Sequence, residues 1–292
     1  MRLLRLRNPS EARIWCRQQR ANHHSLGFVP TMGALHEGHL ALVRRSVEEN
    51  HRTCVSIFVN PLQFNDASDF DRYPRNYHRD SSLLDHLQTD MIFTAELLQF
   101  FPEAKDPSDI IMRDPGPRGL GLEGSHRPGH FAGVCTIVER LFEVVQPDIA
   151  YFGEKDFQQS LVIEDLAMEV GYPQIAVCRT VREPSGLAMS SRNTLLSKTQ
   201  RDQAAFISLA LYAARDAWRD GERDAAILAQ TMQAVLSQSE LEIEYAETRD
   251  PEAWTAEQPN GHLERAQALI AARIATVRLI DNLSLDSTDQ LP

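Results

Sequence analysis

Three groups of residues in this chain have the types and spacing to handle phosphate chemistry. His36 and His39 stand at the start of a stretch, Leu35, Leu40, Leu42 and Val43, whose apolar residues recur at helical spacing. Three positions apart on a helix, the two imidazoles share a face, where they donate hydrogen bonds to phosphate oxygens and follow charge as it moves. A helix start also offers unpaired backbone N–H groups and a partial positive charge, where an anion settles. Lys155, within Gly153-Glu154-Lys155-Asp156, supplies a point charge, and Gln159 lies four residues on along the same helix face. Ser190, Ser191 and Arg192 follow a Gly-containing turn and suit a phosphate clamp.

Other candidates are less specific. Asn60 and Gln63 carry amides that hold a hydroxyl or carboxylate without adding charge, or else belong to a polar loop capped by Pro61. Arg127 and His130 lie in a Gly- and Pro-rich run over 114–130, which excludes a helix or a central strand and suits either a lid over an anion or a plain surface loop. Asp80 opens a helix near Tyr77 to Leu87, as a magnesium ligand or a partner of the helix dipole. For His36-Glu37-Gly38-His39 two alternatives stay open. One is a helix start with two exposed histidines; the other is a metal, against which the metalloprotease helix needs its histidines at i and i+4.

These residues need a frame. Leu26 to Val29 reads as a strand ended by Pro30, and Gly33 permits a tight turn before a helix starting near His36 or Gly38. Thr53 to Val59 is rich in β-branched residues and reads as a second buried strand, so strand, helix and strand make a parallel βαβ unit. Its carboxyl ends would line a ligand crevice, bringing Asn60 and Gln63 to the cleft that holds His39. Further strands are expected at Thr89 to Thr94, Ser108 to Met112, Asp148 to Phe152 and Gln174 to Val181. Helices are expected at Ser10 to Arg20, capped by Ser10 with Arg13, Arg17 and Arg20 on a solvated face, and at Phe131 to Val145. Beyond that come two helices broken at Gly221, then strand-like runs at Leu241 to Arg249, Ala268 to Ala275 and Val277 to Ile280. The expected fold is α/β, a Rossmann-like parallel-sheet nucleotide-binding domain over 1–184 with a smaller α+β C-terminal domain over 185–292.

Bulk properties narrow the class. The length of 292 residues suffices for two cores. No basic, apolar leader occupies Met1 to Ser10, and no run approaches the ~18 apolar residues of a membrane span, so a cytoplasmic protein is expected. A formal charge of -11 disfavours nucleic acid and acidic membranes as partners, so cations for anionic substrates must be concentrated locally. Cys16, Cys54, Cys135 and Cys178 are widely spread and read as buried reduced thiols.

Taken in order, the strings resemble the bacterial pantothenate synthetases (pantoate–β-alanine ligases). The chain carries Pro-Thr-Met-Gly-Ala-Leu-His-Glu-Gly-His over 30–39, Phe-Val-Asn-Pro-x-Gln-Phe over 58–64 and Tyr-Pro-Arg over 73–75. It also carries Leu-Glu-Gly-x-x-Arg-Pro-Gly-His-Phe over 122–131, Gly-Glu-Lys-Asp-x-Gln-Gln over 153–159 and Gly-Leu-Ala-Met-Ser-Ser-Arg-Asn over 186–193. The likeness runs from about residue 26 to 282, ending in Arg278-Leu-Ile-Asp-Asn282, and departs where Ala275 replaces a usual Gly and Asn76 a common Thr. That family belongs to the nucleotidyltransferases with a His-x-Gly-His signature.

The resemblance implies ligation of (R)-pantoate to β-alanine with ATP as substrate and Mg²⁺, through pantoyl adenylate, by a homodimer. It assigns proton donation to His39 and charge stabilisation to His36, with Lys155 and Arg192 also in the catalytic set. It assigns ATP binding to Met32, Gly33, Ala34, Leu35, His36, Glu37, Gly38, His39, Gly153, Glu154, Lys155, Asp156, Val181, Met189, Ser190, Ser191 and Arg192. Gln63 and Gln159 would hold pantoate; Asn60, Tyr73 and Arg127 join them as substrate-binding candidates, and a segment over 119–130 would close as a lid. Nucleotide transfer to a phosphorylated acceptor, and a non-catalytic nucleotide sensor on the same fold, are the alternatives.

Overall fold

A computed structural model describes residues 3–287, so the outermost residues of both expected domains lie outside the described residues. The strands are β1 (Leu4–Leu6), β2 (Leu26–Thr31), β3 (Arg52–Ile57), β4 (Met91–Phe93), β5 (Ile149–Gly153), β6 (Gln174–Cys178), β7 (Glu242–Arg249), β8 (Gln267–Ile274) and β9 (Val277–Ser284). The helices are α1 (Pro9–Ala21), α2 (Glu37–Glu49), α3 (Ala67–Arg72), α4 (Tyr77–His86), α5 (Leu97–Phe100), α6 (Leu122–His126), α7 (His130–Val145), α8 (Phe157–Val170), α9 (Lys198–Ala204), α10 (Phe206–Arg219) and α11 (Ala225–Leu236). Two compact units result. The first comprises residues 1–119, 123–153 and 158–178, and the second residues 120–122, 154–157 and 179–292.

The first unit is an all-parallel sheet in the order β1-β4-β3-β2-β5-β6. Side chains alternate across it, as the two-residue period of a strand requires. Phe28, Cys54, Met91, Phe93, Ala150 and Phe152 face a core shared with α1, α7 and α8, while Val29, Val55, Ile92 and Tyr151 face one shared with α2 and α4. Burial on both faces is why these strands are short, nearly continuous apolar runs. The chain steps outward from β2 through β3 to β4, then returns to place β5 on the other flank of β2. That reversal makes β2 and β5 the switch point of the sheet, whose carboxyl ends are where α/β folds bind ligands.

In the second unit β7, β8 and β9 form an antiparallel sheet. One face, with Ala268, Ile270, Ala272 and Leu279, packs against Ile207, Leu211 and Trp218 of α10 and Leu228 and Met232 of α11. The other face, with Tyr245, Leu269 and Ala271, covers Leu122 and Phe157. The fold is therefore α/β with a smaller α+β unit. Ala275, the departure from a family glycine, sits in the β8–β9 turn at φ 50°, the left-handed region that glycine occupies without a Cβ clash.

Several local expectations are corrected. The cap of α1 is Asn8, whose side chain accepts from the Ser10 amide at 2.7 Å, so Ser10 lies inside the helix. Arg20 is not merely solvated, since its guanidinium donates to the carbonyls of Val145 and Gln146 at the end of α7. β1 gives no sequence signal because a three-residue edge strand has too few positions to show a period. Pro30 does not end β2; pairing with β5 covers only Gly27 and Phe28, so a residue without an N–H is tolerated beyond them. Ser108 to Met112 forms a 3-10 turn over Pro107–Asp109 in place of a strand. The Gly-rich run does contain a helix, α6, where the buried Gln158 side chain accepts the Glu123 N–H at 3.0 Å.

α7 meets the 3-10 turn Pro61–Gln63 at Gly133, where a Cβ would lie 2.1 Å from the Leu62 carbonyl oxygen. Gly133→Ala is expected to cost about 1–3 kcal/mol, the range for overpacking a tight contact. Chemical denaturation should show a lowered midpoint, and a wild-type midpoint would mean that this contact relaxes freely.

Candidate active site

The carboxyl end of β2 runs into Met32-Gly33-Ala34-Leu35, where Gly33 at φ 80° and Ala34 at φ 50° turn the chain sharply toward α2. Asp80, from the first turn of α4 and only 1% exposed, holds that turn. Its carboxylate accepts from the Ala34 N–H at 2.8 Å and the Leu35 N–H at 2.9 Å. Arg79 next to it donates to the Leu35 carbonyl at 2.9 Å, and Thr31 Oγ1 accepts from the Gly33 N–H at 3.2 Å. The loop is thus fixed from both sides before the helix begins.

His36 is the N-cap of α2, and its Nδ1 accepts from the Gly38 N–H at 3.2 Å. His39 reaches back, its Nδ1 accepting from the His36 N–H at 3.4 Å. Both imidazoles use Nδ1 as an acceptor, so in the neutral rings the proton sits on Nε2. The rings lie 4.0 Å apart between centroids, tilted by 38°. This gives the reason for the three-residue spacing, which is that of a capping box built from histidines.

The same geometry corrects the expectation of an anion nest of free backbone amides. The N–H groups of Gly33, Ala34, Leu35, His36 and Gly38 are partnered by protein side chains. In the neutral rings the N–H that could turn to an anion is the one on Nε2. Asp80 spends both oxygens on backbone amides in a buried position, which gives it a structural role in this turn.

Gln63 ends the turn that follows β3. Asn60 is buried, and its Nδ2 donates to Gln63 Oε1 and to the Gly133 carbonyl, each at 3.0 Å, while its Oδ1 accepts from the Leu62 N–H at 3.1 Å. Asn60 therefore orients Gln63, and its amide is committed to that task. Gln63 Nε2 in turn points at Met32 Sδ, 3.3 Å away, which brings the Gln63 amide to the β2 loop. The Gln63 carbonyl accepts from His130 Nδ1 at 2.9 Å and from Arg127 at 3.3 Å, and Arg127 Nη1 donates to His130 Nε2 at 3.1 Å. A carbonyl only accepts, so His130 carries its proton on Nδ1.

Tyr73 is buried edge-on against Phe64. Gln159 sits half-buried in the first turn of α8, while its neighbour Gln158 is buried and committed to Glu123 and Arg118. Within the segment expected as a lid, Leu122 to His126 forms helix α6, and Arg127 and His130 bond the Gln63 carbonyl.

In the second unit, Glu154–Asp156 forms a 3-10 turn directly after Gly153 ends β5. The Lys155 side chain is 20% exposed, with its ammonium 3.8 Å from the Asp156 carboxylate. Val181 and Met189 come together across a hairpin, Met189 N donating to the Val181 carbonyl at 2.9 Å and Arg182 pairing with Ala188. Ser190 then caps the turn Ser191–Leu195, which carries Arg192, by accepting the Arg192 N–H at 3.3 Å. Arg182 is held against Asp281; burial alone would lower its pKa, and the carboxylate outweighs burial and raises it. Sequence reasoning misses Glu123, Asp281 and Asn282, although Asp281-Asn282 is visible as a polar pair closing an apolar strand.

A family model described as pantoate-beta-alanine ligase matches residues 5–284. The chain belongs to this family. A pantothenate synthetase of Rubrobacter xylanophilus is 44% identical over 287 residues, which cover 96% of this chain and 98% of the relative. One from Roseiflexus castenholzii is 43% identical over 269 residues, covering 91% and 95% respectively. Among solved structures, a pantothenate synthetase of Thermus thermophilus superimposes with a TM-score of 0.87 at 38% identity, covering 97% of this chain and 99% of its own. The pantoate-beta-alanine ligase of Francisella tularensis, solved with beta-gamma ATP and beta-alanine, gives 0.77 at 30% identity and 98% coverage of both chains. The protein is thus a ligase that forms pantothenate from pantoate and β-alanine.

The role of Asp80 can be separated from metal binding. Asp80→Asn leaves one oxygen to accept two amides and is expected to cost about 1.5–3 kcal/mol of stability, the range for a hydrogen bond to a charged group. Activity should fall with it, while the magnesium concentration giving half-maximal rate stays unchanged. A rightward shift of that magnesium titration with unaltered stability would show that Asp80 is a ligand after all.

Proposed function

We propose that this ligase works with ATP through a pantoyl-adenylate intermediate, releasing pyrophosphate and then AMP. A free carboxylate is inert toward an amine because its leaving group would be oxide. In the first step a pantoate carboxylate oxygen bonds to the α-phosphorus and the bond to the pyrophosphate oxygen breaks. In the second, the β-alanine amine attacks the acyl carbonyl, the bond to AMP breaks, and the amine sheds a proton.

The observation that carries this reading is the pair of capped histidines beside a switch-point strand. Their Nδ1 atoms are anchored to backbone, so each Nε2–H is a preorganised donor for charge that develops on phosphate oxygens. His39 acts as proton donor and His36 supports it. Lys155 and Arg192 supply positive charge to the phosphates. Gln63, oriented by Asn60, and Gln159 hold pantoate, so that rate comes from positioning and charge stabilisation with no covalent enzyme intermediate. The Francisella relative, solved with beta-gamma ATP and beta-alanine, supports the choice of nucleotide and amine. Mg²⁺, implied by the resemblance, belongs to this proposal, where it would neutralise charge on the ATP phosphates. A closing segment over 119–130 would keep water from the adenylate, and the homodimer implied by the resemblance belongs to this proposal; sedimentation equilibrium giving one chain mass would remove the dimer from it.

Pyrophosphate release from ATP tests the scheme. With (R)-pantoate alone the wild type should release about one equivalent per site, and sustained turnover should require β-alanine. His39→Ala should lower the rate on the order of 10²-fold or more, the range for removing a preorganised donor. Wild-type turnover by the variant, or no pyrophosphate under any condition, would refute the scheme.

A further inference from the structure

Lys155 rides on a three-residue 3-10 turn between β5 and α8, and the backbone carbonyls of that turn are bonded by Asn282 near the end of β9, 3% exposed. Asn282 Nδ2 donates to the Glu154 carbonyl at 2.9 Å and to the Lys155 carbonyl at 2.8 Å. Gln267 Nε2 on β8 donates to Asn282 Oδ1 at 2.7 Å. The Glu154 and Lys155 carbonyls only accept, so the NH2 end of the Asn282 amide faces the Lys155 turn and its oxygen faces Gln267. Every hydrogen-bonding atom of this amide has a use, which is the condition under which a buried polar group specifies one arrangement.

The neighbouring residue does the same for the second phosphate segment. Asp281 Oδ1 accepts the Asn282 N–H at 2.8 Å, and its carboxylate takes Arg182 through Nη1 at 2.5 Å and Nη2 at 3.2 Å. Arg182 also donates to the Asn282 carbonyl at 3.3 Å and to the Gly186 carbonyl at 3.1 Å, within the hairpin that leads to Met189 and Arg192. Two adjacent residues of β9 therefore carry the Lys155 turn and the root of the Arg192 segment.

We propose that Asn282 is a positioning residue for the ligation. By clamping the Glu154 and Lys155 carbonyls it presents the Lys155 ammonium in one place, so that nucleotide binding need not order the turn. Gln267 keys the clamp, and Asp281 with Arg182 anchors the Arg192 hairpin to the same strand. The inference rests on the reading of Lys155 as a phosphate contact. A merely structural Asn282 would set stability; a positioning Asn282 sets kcat/KM for ATP, and does so through Lys155.

A double-mutant cycle separates these possibilities. Asn282→Leu keeps the size of the side chain and removes both donors. It is expected to lower kcat/KM for ATP on the order of 10- to 100-fold, the scale of a misplaced group, with KM for β-alanine within about twofold of wild type. Lys155→Met should lower kcat/KM for ATP at least as much, and in that background Asn282→Leu should add less than about twofold. Losses that multiply, or wild-type kinetics for Asn282→Leu, would overturn the role of Asn282 and leave Lys155 as a phosphate contact. Wild-type kinetics for Lys155→Met would overturn the Lys155 reading, and this inference with it. Should Asn282→Leu not fold, Gln267→Met decides by the same cycle, with a smaller expected loss, about 3- to 10-fold, that again vanishes in the Lys155→Met background.

Discussion

The buried carboxylate of Asp80 holding the amides of Ala34 and Leu35 is the interaction on which the β2 loop depends. An unpaired charge in that position would cost several kcal/mol, and two consecutive residues at positive φ add strain of order 1 kcal/mol or more where the residue is not glycine. The turn and the carboxylate answer each other. The left-handed turn brings two N–H groups side by side toward α4, and the carboxylate there accepts both. With the turn fixed, His36 must enter α2 as its cap, and His39 follows one turn later on the same face. A loop free to relax would leave the imidazoles without defined Nε2 directions.

Gln63 is built on a second constraint of the same kind. Its side chain is aimed by Asn60, and its carbonyl is gripped by His130 at the start of α7 and by Arg127 just after α6. Gly133 lets α7 approach the Leu62 carbonyl closely enough for Asn60 to bond both the helix backbone and Gln63. The polar residues around Gln63 thus hold it in place through bonds to its side chain and its carbonyl.

The framework is legible in the sequence where periodicity is long. The parallel βαβ unit, the apolar stripe of α7 and the three strands of the small sheet follow from spacing, because buried faces impose a period of two or near 3.6. His36, His39, Gln63, Lys155 and Arg192 are visible as chemistry after strand ends, and six ordered strings tie them to a family. What stays hidden are roles set by distant partners. Asp80 looks like a metal ligand because nothing local shows two amides arriving from Ala34 and Leu35, residues far from it in sequence. Asn60 reads as a substrate amide because Gly133 is 73 positions away, and Asn282 shows in the sequence only as a polar residue closing an apolar strand because its partner turn lies 127 positions earlier. α6 forms against its glycine content because one buried glutamine supplies its first bond.

The way the backbone donors around His36 are occupied also shapes what the enzyme ignores. A phosphate loop made of bare amides is a standing trap for inorganic anions, which a cell holds at millimolar levels. Here the chain has filled that trap with its own carboxylate and imidazoles. The amides of Gly33, Ala34, Leu35, His36 and Gly38 are thereby spent inside the chain, so the bonds that shape the turn also decide what its backbone does not hold.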